Sequence, residues 1–175
     1  LFSSPWVQSN MNISAYNTSL FQFLEASPTP FHAVAELEKQ FIENGFTKLQ
    51  EGLTWQLVKG RSYFVTRQQG AMIAFTLGED EEDVDGFRIV TAHSDSPCLQ
   101  LKPQPEVTTK GYNQLGVEVY GGALLAPWFD RNLSVAGRVT CSLDDGSLKV
   151  FLVDFQKALV TIPSVAIHLN REANT

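Results

Sequence analysis

The sequence predicts an α/β chain: the start of a layered α/β domain followed by a β-rich module. Three observations lead there. Two stretches near the beginning carry apolar residues at helical spacing, the residues after Gly45 switch to short runs of branched and aromatic side chains, and beyond Pro103 alternating runs dominate with no legible helix.

The first helix is expected over residues 12–26. Ile13, Tyr16, Leu20, Phe21, Phe23 and Leu24 recur there at roughly helical intervals, until Ser27-Pro28 disfavours continuation. Thr29-Pro30 opens a second helix, because threonine can cap free N–H groups of the first turn and proline is tolerated where an N–H would have no partner. Phe31, Val34, Ala35, Leu37, Phe41 and Ile42 then fall broadly on one side, and Asn44-Gly45 ends the helix. Strands are expected at 62–67, 71–77 and 87–92, the last two separated by an acidic, solvated loop over 78–86. The run 87–92 is nearly all apolar, as befits a central strand covered on both faces.

In the second half, strands are expected at 116–120, 135–143, 148–155 and 165–169, with Asp145-Gly146 as the turn of a hairpin. The boundaries are therefore 11–102 for the α/β part and 103–175 for the β-rich part. Residues 1–10 precede Met11 without periodicity, read as an expression remnant, and are left out of the fold.

With 43% hydrophobic and 18% charged residues, the 175-residue chain has enough apolar material for a core. Its net charge of −6 argues against nucleic acid or an anionic membrane as partner, since either calls for a basic face. A small molecule or a peptide fits better. Apolar runs fall short of the roughly 20 residues of a membrane helix, and no secretory pattern opens the chain. Cys98 and Cys141 are too few for a disulfide scaffold and read as reduced thiols of a cytoplasmic protein.

The sharpest chemical feature is the run Phe87-Arg88-Ile89-Val90-Thr91-Ala92-His93-Ser94-Asp95-Ser96-Pro97, an apolar stretch that delivers a histidine and an aspartate past its C-terminal end. Functional residues of open α/β sheets gather at such ends. Neutral imidazole is a good zinc ligand, and a nearby carboxylate can fix its tautomer. Spacing does not show whether Asp95 touches His93, and a bare H-x-D is common by chance, so on its own it reads as a loop without metal. His32, in the opening turn of the second helix, is assigned no role. His168 ends a strand-like run and, alone, is an ordinary surface or interface histidine. Asp130 and Arg131, between aromatics in Trp128-Phe129-Asp130-Arg131, can be an ion pair under a turn. Neither a nucleophilic triad nor a phosphate-binding glycine loop is present.

Taken together, five ordered segments resemble the M18 family of metalloaminopeptidases, whose best-known member is aspartyl aminopeptidase. They are Ser27-Pro28-Thr29-Pro30-Phe31-His32-Ala33-Val34-Ala35, Ala92-His93-Ser94-Asp95-Ser96-Pro97-Cys98-Leu99, Gly116-Val117-Glu118-Val119-Tyr120-Gly121-Gly122, Trp128-Phe129-Asp130-Arg131-Asn132-Leu133 and Ile162-Pro163-Ser164-Val165-Ala166-Ile167-His168-Leu169. Five in order are far more specific than one. The resemblance implies the N-terminal part of a zinc-peptidase α/β catalytic domain, interrupted by a β-rich dimerisation domain that is incomplete here, and a site with two Zn2+ ions. It implies a homo-oligomer built from dimers, with a peptide as substrate and N-terminal, acidic residues released. By position His93 resembles a zinc ligand, Asp95 the carboxylate that orients it, and His168 the histidine that enters the partner subunit's active site. Ser94 stands where the family often has threonine.

The family's bridging aspartate, paired glutamates and final histidine have no counterpart here, and Asp130 matches a dimerisation-domain segment instead of a bridging ligand. A catalytic zinc usually has three protein ligands, so this portion alone is expected to be inactive. The alternative is a non-catalytic dimerisation or assembly module without a complete metal centre.

Overall fold

A computed structural model describes residues 12–79 and 86–172 of the protein. The expected remnant at 1–10 and residues 80–85 of the acidic loop expected at 78–86 lie outside the described residues. The chain forms two compact units, Leu1–Ser94 and Asp95–Thr175.

Helix α1 spans Ile13–Glu25 and helix α2 spans Pro30–Glu43. Asn12 caps α1, its side-chain oxygen accepting the N–H groups of Ser14 and Ala15 at 3.1 and 3.3 Å. Thr29 caps α2 with Pro30 in the first turn, as the sequence predicts, and its Oγ1 accepts the His32 N–H at 3.4 Å. That hydroxyl also meets His32 Nδ1 at 2.7 Å, which gives the imidazole a local, helix-opening role. At the other end, Gly45 takes φ +82°. Its N–H donates to the Ile42 carbonyl at 3.0 Å and the Phe46 N–H to the Phe41 carbonyl at 2.9 Å. The Phe41 and Phe46 rings lie 4.6 Å apart, completing a Schellman stop with its hydrophobic contact.

Strand β1 (Thr47–Leu49) runs parallel to β2 (Ser62–Arg67), and β3 (Ala71–Thr76) runs antiparallel on the other side of β2. Successive residues of a strand face opposite sides, so the buried pair Tyr63 and Phe64 seals both faces of the middle strand. Phe64 stacks on Phe41 of α2 at 5.8 Å, joined in the core by Ala33 and Val34. Tyr63 meets its cross-strand partner Phe75 at 5.7 Å, and Trp55 stacks on Phe75 at 6.2 Å. The β1–β2 connection is tied down where the Val58 N–H donates to the Tyr63 hydroxyl at 2.8 Å and Trp55 Nε1 to the Gln50 carbonyl at 2.8 Å.

The second unit is β-rich. β4 (Cys98–Thr109) pairs antiparallel with β5 (Tyr112–Tyr120), and β6 (Ala136–Ser142) with β7 (Leu148–Asp154). Lys110 and Gly111 make the first turn at φ 51° and 83°, the left-handed pair that matches strand twist in a two-residue hairpin. Asp145-Gly146 makes the second, as expected: Gly146 sits at φ 80° and the Asp145 carboxylate accepts the Ser147 N–H at 2.9 Å. A short 3₁₀ turn, Ala126–Trp128, precedes β6.

Two expected strands are not formed. Residues 86–93 carry no strand, and Phe87, Ile89 and Val90 are exposed. A strand needs a neighbour for its N–H and C=O groups, and among the described residues the sheet around β2 ends at β1 and β3. Residues 165–169 are likewise not a strand. The Leu169 N–H donates to the Ala166 carbonyl at 2.8 Å and the Asn170 N–H to the Ile167 carbonyl at 3.2 Å, which makes a turn.

Candidate functional site

His93 ends the exposed stretch that follows residue 85, and its imidazole is on the surface of the first unit. The next residue, Ser94, anchors that stretch: its hydroxyl donates to the Gly70 carbonyl at 3.0 Å, in the turn between β2 and β3. Gln68 and Gln69 form that turn at φ 50° and 58°, closed by the Gly70 N–H on the Arg67 carbonyl at 3.1 Å. The approach to His93 is thus held by one hydroxyl and a backbone acceptor, a role that threonine would also fill.

Asp95 opens the second unit and is half-buried. β4 begins at Cys98, whose antiparallel partner is Tyr120, the last residue of β5. This register brings the Tyr120 hydroxyl to Asp95, to which it donates a hydrogen bond. That bond and the negative charge beside it hold the Tyr120 phenol above its ordinary pKa, so it stays a donor. Gly121 follows at φ 67°, with Pro97 packed 3.6 Å from where a Cβ would stand. Burial pushes the Cys98 thiol up, against a hydrogen bond from Gln100, which keeps it protonated and a poor nucleophile.

His168 occupies the turn at 167–169 and is exposed. The Asp130 carboxylate accepts from Ser164, the backbone N–H at 2.9 Å and the hydroxyl at 2.5 Å, and these bonds hold its pKa below the ordinary carboxylate range. The ion pair under a turn expected of Asp130 and Arg131 therefore gives way to a hydroxyl and an amide from a distant segment.

As a metal ligand His93 has suitable chemistry, since an exposed imidazole presents a nitrogen lone pair. A catalytic zinc nevertheless wants three protein ligands and an open position. Among the described residues no group of three or more His, Cys, Asp or Glu side chains is gathered to hold a metal ion. The sequence alone assigns no role to Tyr120 or Ser164. Only the pairing of β4 with β5 brings Tyr120 to Asp95, and a tyrosine at a strand end carries no such signal by itself.

Comparison with known proteins adds independent findings. A family model described as "Aminopeptidase I zinc metalloprotease (M18)" matches residues 23–175. A "Probable M18 family aminopeptidase 2" of Pseudomonas savastanoi pv. phaseolicola is 54% identical over 158 residues, covering 90% of this chain and 37% of that protein. Among solved structures, the "Ape4 and Nbr1 complex" superposes with a TM-score of 0.85 at 42% identity, over 95% of this chain and 33% of that one. The "S. cerevesiae mApe1 dodecamer" superposes with a TM-score of 0.80 at 28% identity, over 90% of this chain and 37% of that one. The chain thus spans about a third of the length of these relatives, and its mixed helix and strand architecture is part of their fold.

Proposed function

The chain belongs to the M18 aminopeptidase family, and from that membership we propose that the whole protein is a zinc-dependent aminopeptidase that releases N-terminal, acidic residues from peptides. The observation that carries this reading is the family match across residues 23–175, within which the H-x-D segment lies. His93 would hold one of two zinc ions in the complete site, whose chemistry is to polarise the scissile carbonyl and lower the pKa of water. The remaining ligands and the general base would come from outside this chain, so the 175-residue portion alone is inactive. Asp95 would orient His93 as a ligand, and the Tyr120 hydroxyl, which donates to Asp95, would steady that carboxylate. His168 donates to the oxyanion that develops on the substrate carbonyl, in the site of a partner subunit.

A homo-oligomer built from dimers is part of the same reading. It is supported by the dodecameric assembly of a relative and by Val117 and Val119 of β5 and Phe151 of β7, which stand exposed on the β-rich unit. No helix among the described residues is long and apolar enough to cross a membrane, and Cys98 and Cys141 are free, which fits a cytoplasmic location.

The test is made on the full-length protein with aspartyl, glutamyl and leucyl p-nitroanilides. Activity should favour the acidic substrates, disappear with a chelator and return with zinc, and His93→Ala should lose both zinc and activity. Mixing His93→Ala with His168→Ala subunits should restore part of the activity, because one site of the hybrid dimer keeps both histidines. A His93→Ala enzyme with full zinc and activity would sink the assignment of that ligand, and no recovery despite proven subunit exchange would place His168 in its own subunit or outside the site.

A further inference from the structure

Asp130 joins two segments separated by 34 positions in the sequence. Its backbone stands at φ 55°, a conformation that aspartate adopts more readily than most L residues. In that pose its two carboxylate oxygens accept the Ser164 N–H at 2.9 Å and the Ser164 hydroxyl at 2.5 Å, while its own N–H donates to the Ile162 carbonyl at 2.9 Å. The attachment continues at Leu133, whose N–H donates to the Val160 carbonyl at 2.9 Å and whose carbonyl accepts from Leu159 at 2.9 Å. Residues 159–164 are thereby fastened along 130–133. The turn that presents His168 begins at Ala166, almost directly beyond the last fastening.

We propose that Asp130 is the positioning residue for His168. It fixes the end of the strap at Ser164, and the turn carrying the imidazole inherits its place from that fixed point. An ionised carboxylate suits the task because it only accepts and so satisfies both Ser164 donors at once. Asparagine tolerates the backbone but can accept through one atom, and glycine tolerates the backbone and accepts nothing. The inference rests on His168 serving the oxyanion, and it adds the residue that makes such service geometrically possible.

The experiment uses the full-length enzyme. Asp130→Gly should lower kcat by about tenfold to a hundredfold, the scale on which a misplaced catalytic group loses effect, with zinc content and oligomeric state retained. Asp130→Asn should show a smaller loss. A residue that acts only through another is not additive with it, so adding Asp130→Gly to His168→Ala should reduce kcat no further. Additive losses would overturn the proposal. Hydrogen exchange provides a readout free of catalysis: the Ser164 amide, which donates to Asp130, and the Leu169 amide, which closes the turn, should exchange faster in Asp130→Gly, and unchanged protection would also overturn it. Should Asp130→Gly fail to fold, Ser164→Ala leaves the backbone intact, removes one donor and carries the same two readouts. Full activity of His168→Ala would refute the reading of His168 and with it the catalytic part of this inference, whereas the exchange result decides the fastening by itself.

Discussion

Replacing Gly45 by alanine should destabilise the protein by about 1 kcal/mol, and the structure shows where that figure comes from. Gly45 lies at φ +82°, and a Cβ added there would meet nothing within 4 Å, so packing contributes nothing to the change. What remains is the left-handed backbone, which disfavours an L side chain by roughly 1–2 kcal/mol, offset by the reduced freedom of the unfolded chain, worth about 0.4–1 kcal/mol. Gly52 supplies the control, because its Cβ would also meet nothing within 4 Å and its φ lies outside the left-handed range. Gly52→Ala should therefore be neutral or stabilising by a few tenths of a kcal/mol. Urea unfolding followed by far-ultraviolet circular dichroism measures both variants, and for a chain of this size about 1 kcal/mol corresponds to a Tm shift of roughly 2–4 °C. If Gly45→Ala behaved like Gly52→Ala, the helix stop would not depend on the left-handed residue and the Schellman account of this turn would be refuted.

Phe64→Ala should cost about 3–5 kcal/mol, since Phe64 is fully buried against Phe41 in the α2 contact; a loss below about 1 kcal/mol would mean that the pocket is open to water. Asp145 has its pKa lowered by the hydroxyl and N–H of Ser147, so its stabilising effect is complete above the unfolded pKa of about 3.9 and is lost as the pH falls through the lower folded value. An acid titration of stability should accordingly be shallower in Asp145→Asn at the most acidic pH values, and identical curves would show that the turn does not need the carboxylate.

The parts of the fold that were legible in the sequence are those in which local chemistry and final structure agree. Thr29-Pro30 and Asn44-Gly45 bound α2 because capping and the left-handed stop act over a few residues. The runs at 62–67 and 71–77 became β2 and β3, and Asp145-Gly146 became a turn, for the same reason. β4 was hidden by Pro103 and Pro105, each of which lacks the N–H a ladder uses. The structure keeps the strand by letting residues 102–105 bulge opposite Gly116, so that pairing resumes at Glu106 with Leu115. β1 was too short to show a period, and it exists as a strand only through its parallel register with β2.

The run at 87–92 shows the opposite failure, in which an apolar pattern identifies what a segment is suited for without supplying its partners. Phe87, Ile89 and Val90 have the composition of a covered strand and remain exposed. Hydrophobic pattern describes one participant in a contact, whereas a central strand requires two neighbours as well. The candidate site divides in the same way. His93 and Asp95 stand out as candidates in the sequence because H-x-D belongs to one short segment, while the groups that hold their surroundings come from elsewhere: Gly70 for Ser94, Tyr120 for Asp95 and Asp130 for the strap before His168. These supporting contacts join residues far apart in the chain, so they follow from strand register and turn geometry that a linear motif does not contain. In the β-rich unit the register of β4 with β5 sets the contact of Tyr120 with Asp95, and the left-handed pose of Asp130 accompanies its hold on Ser164, ahead of the turn that carries His168.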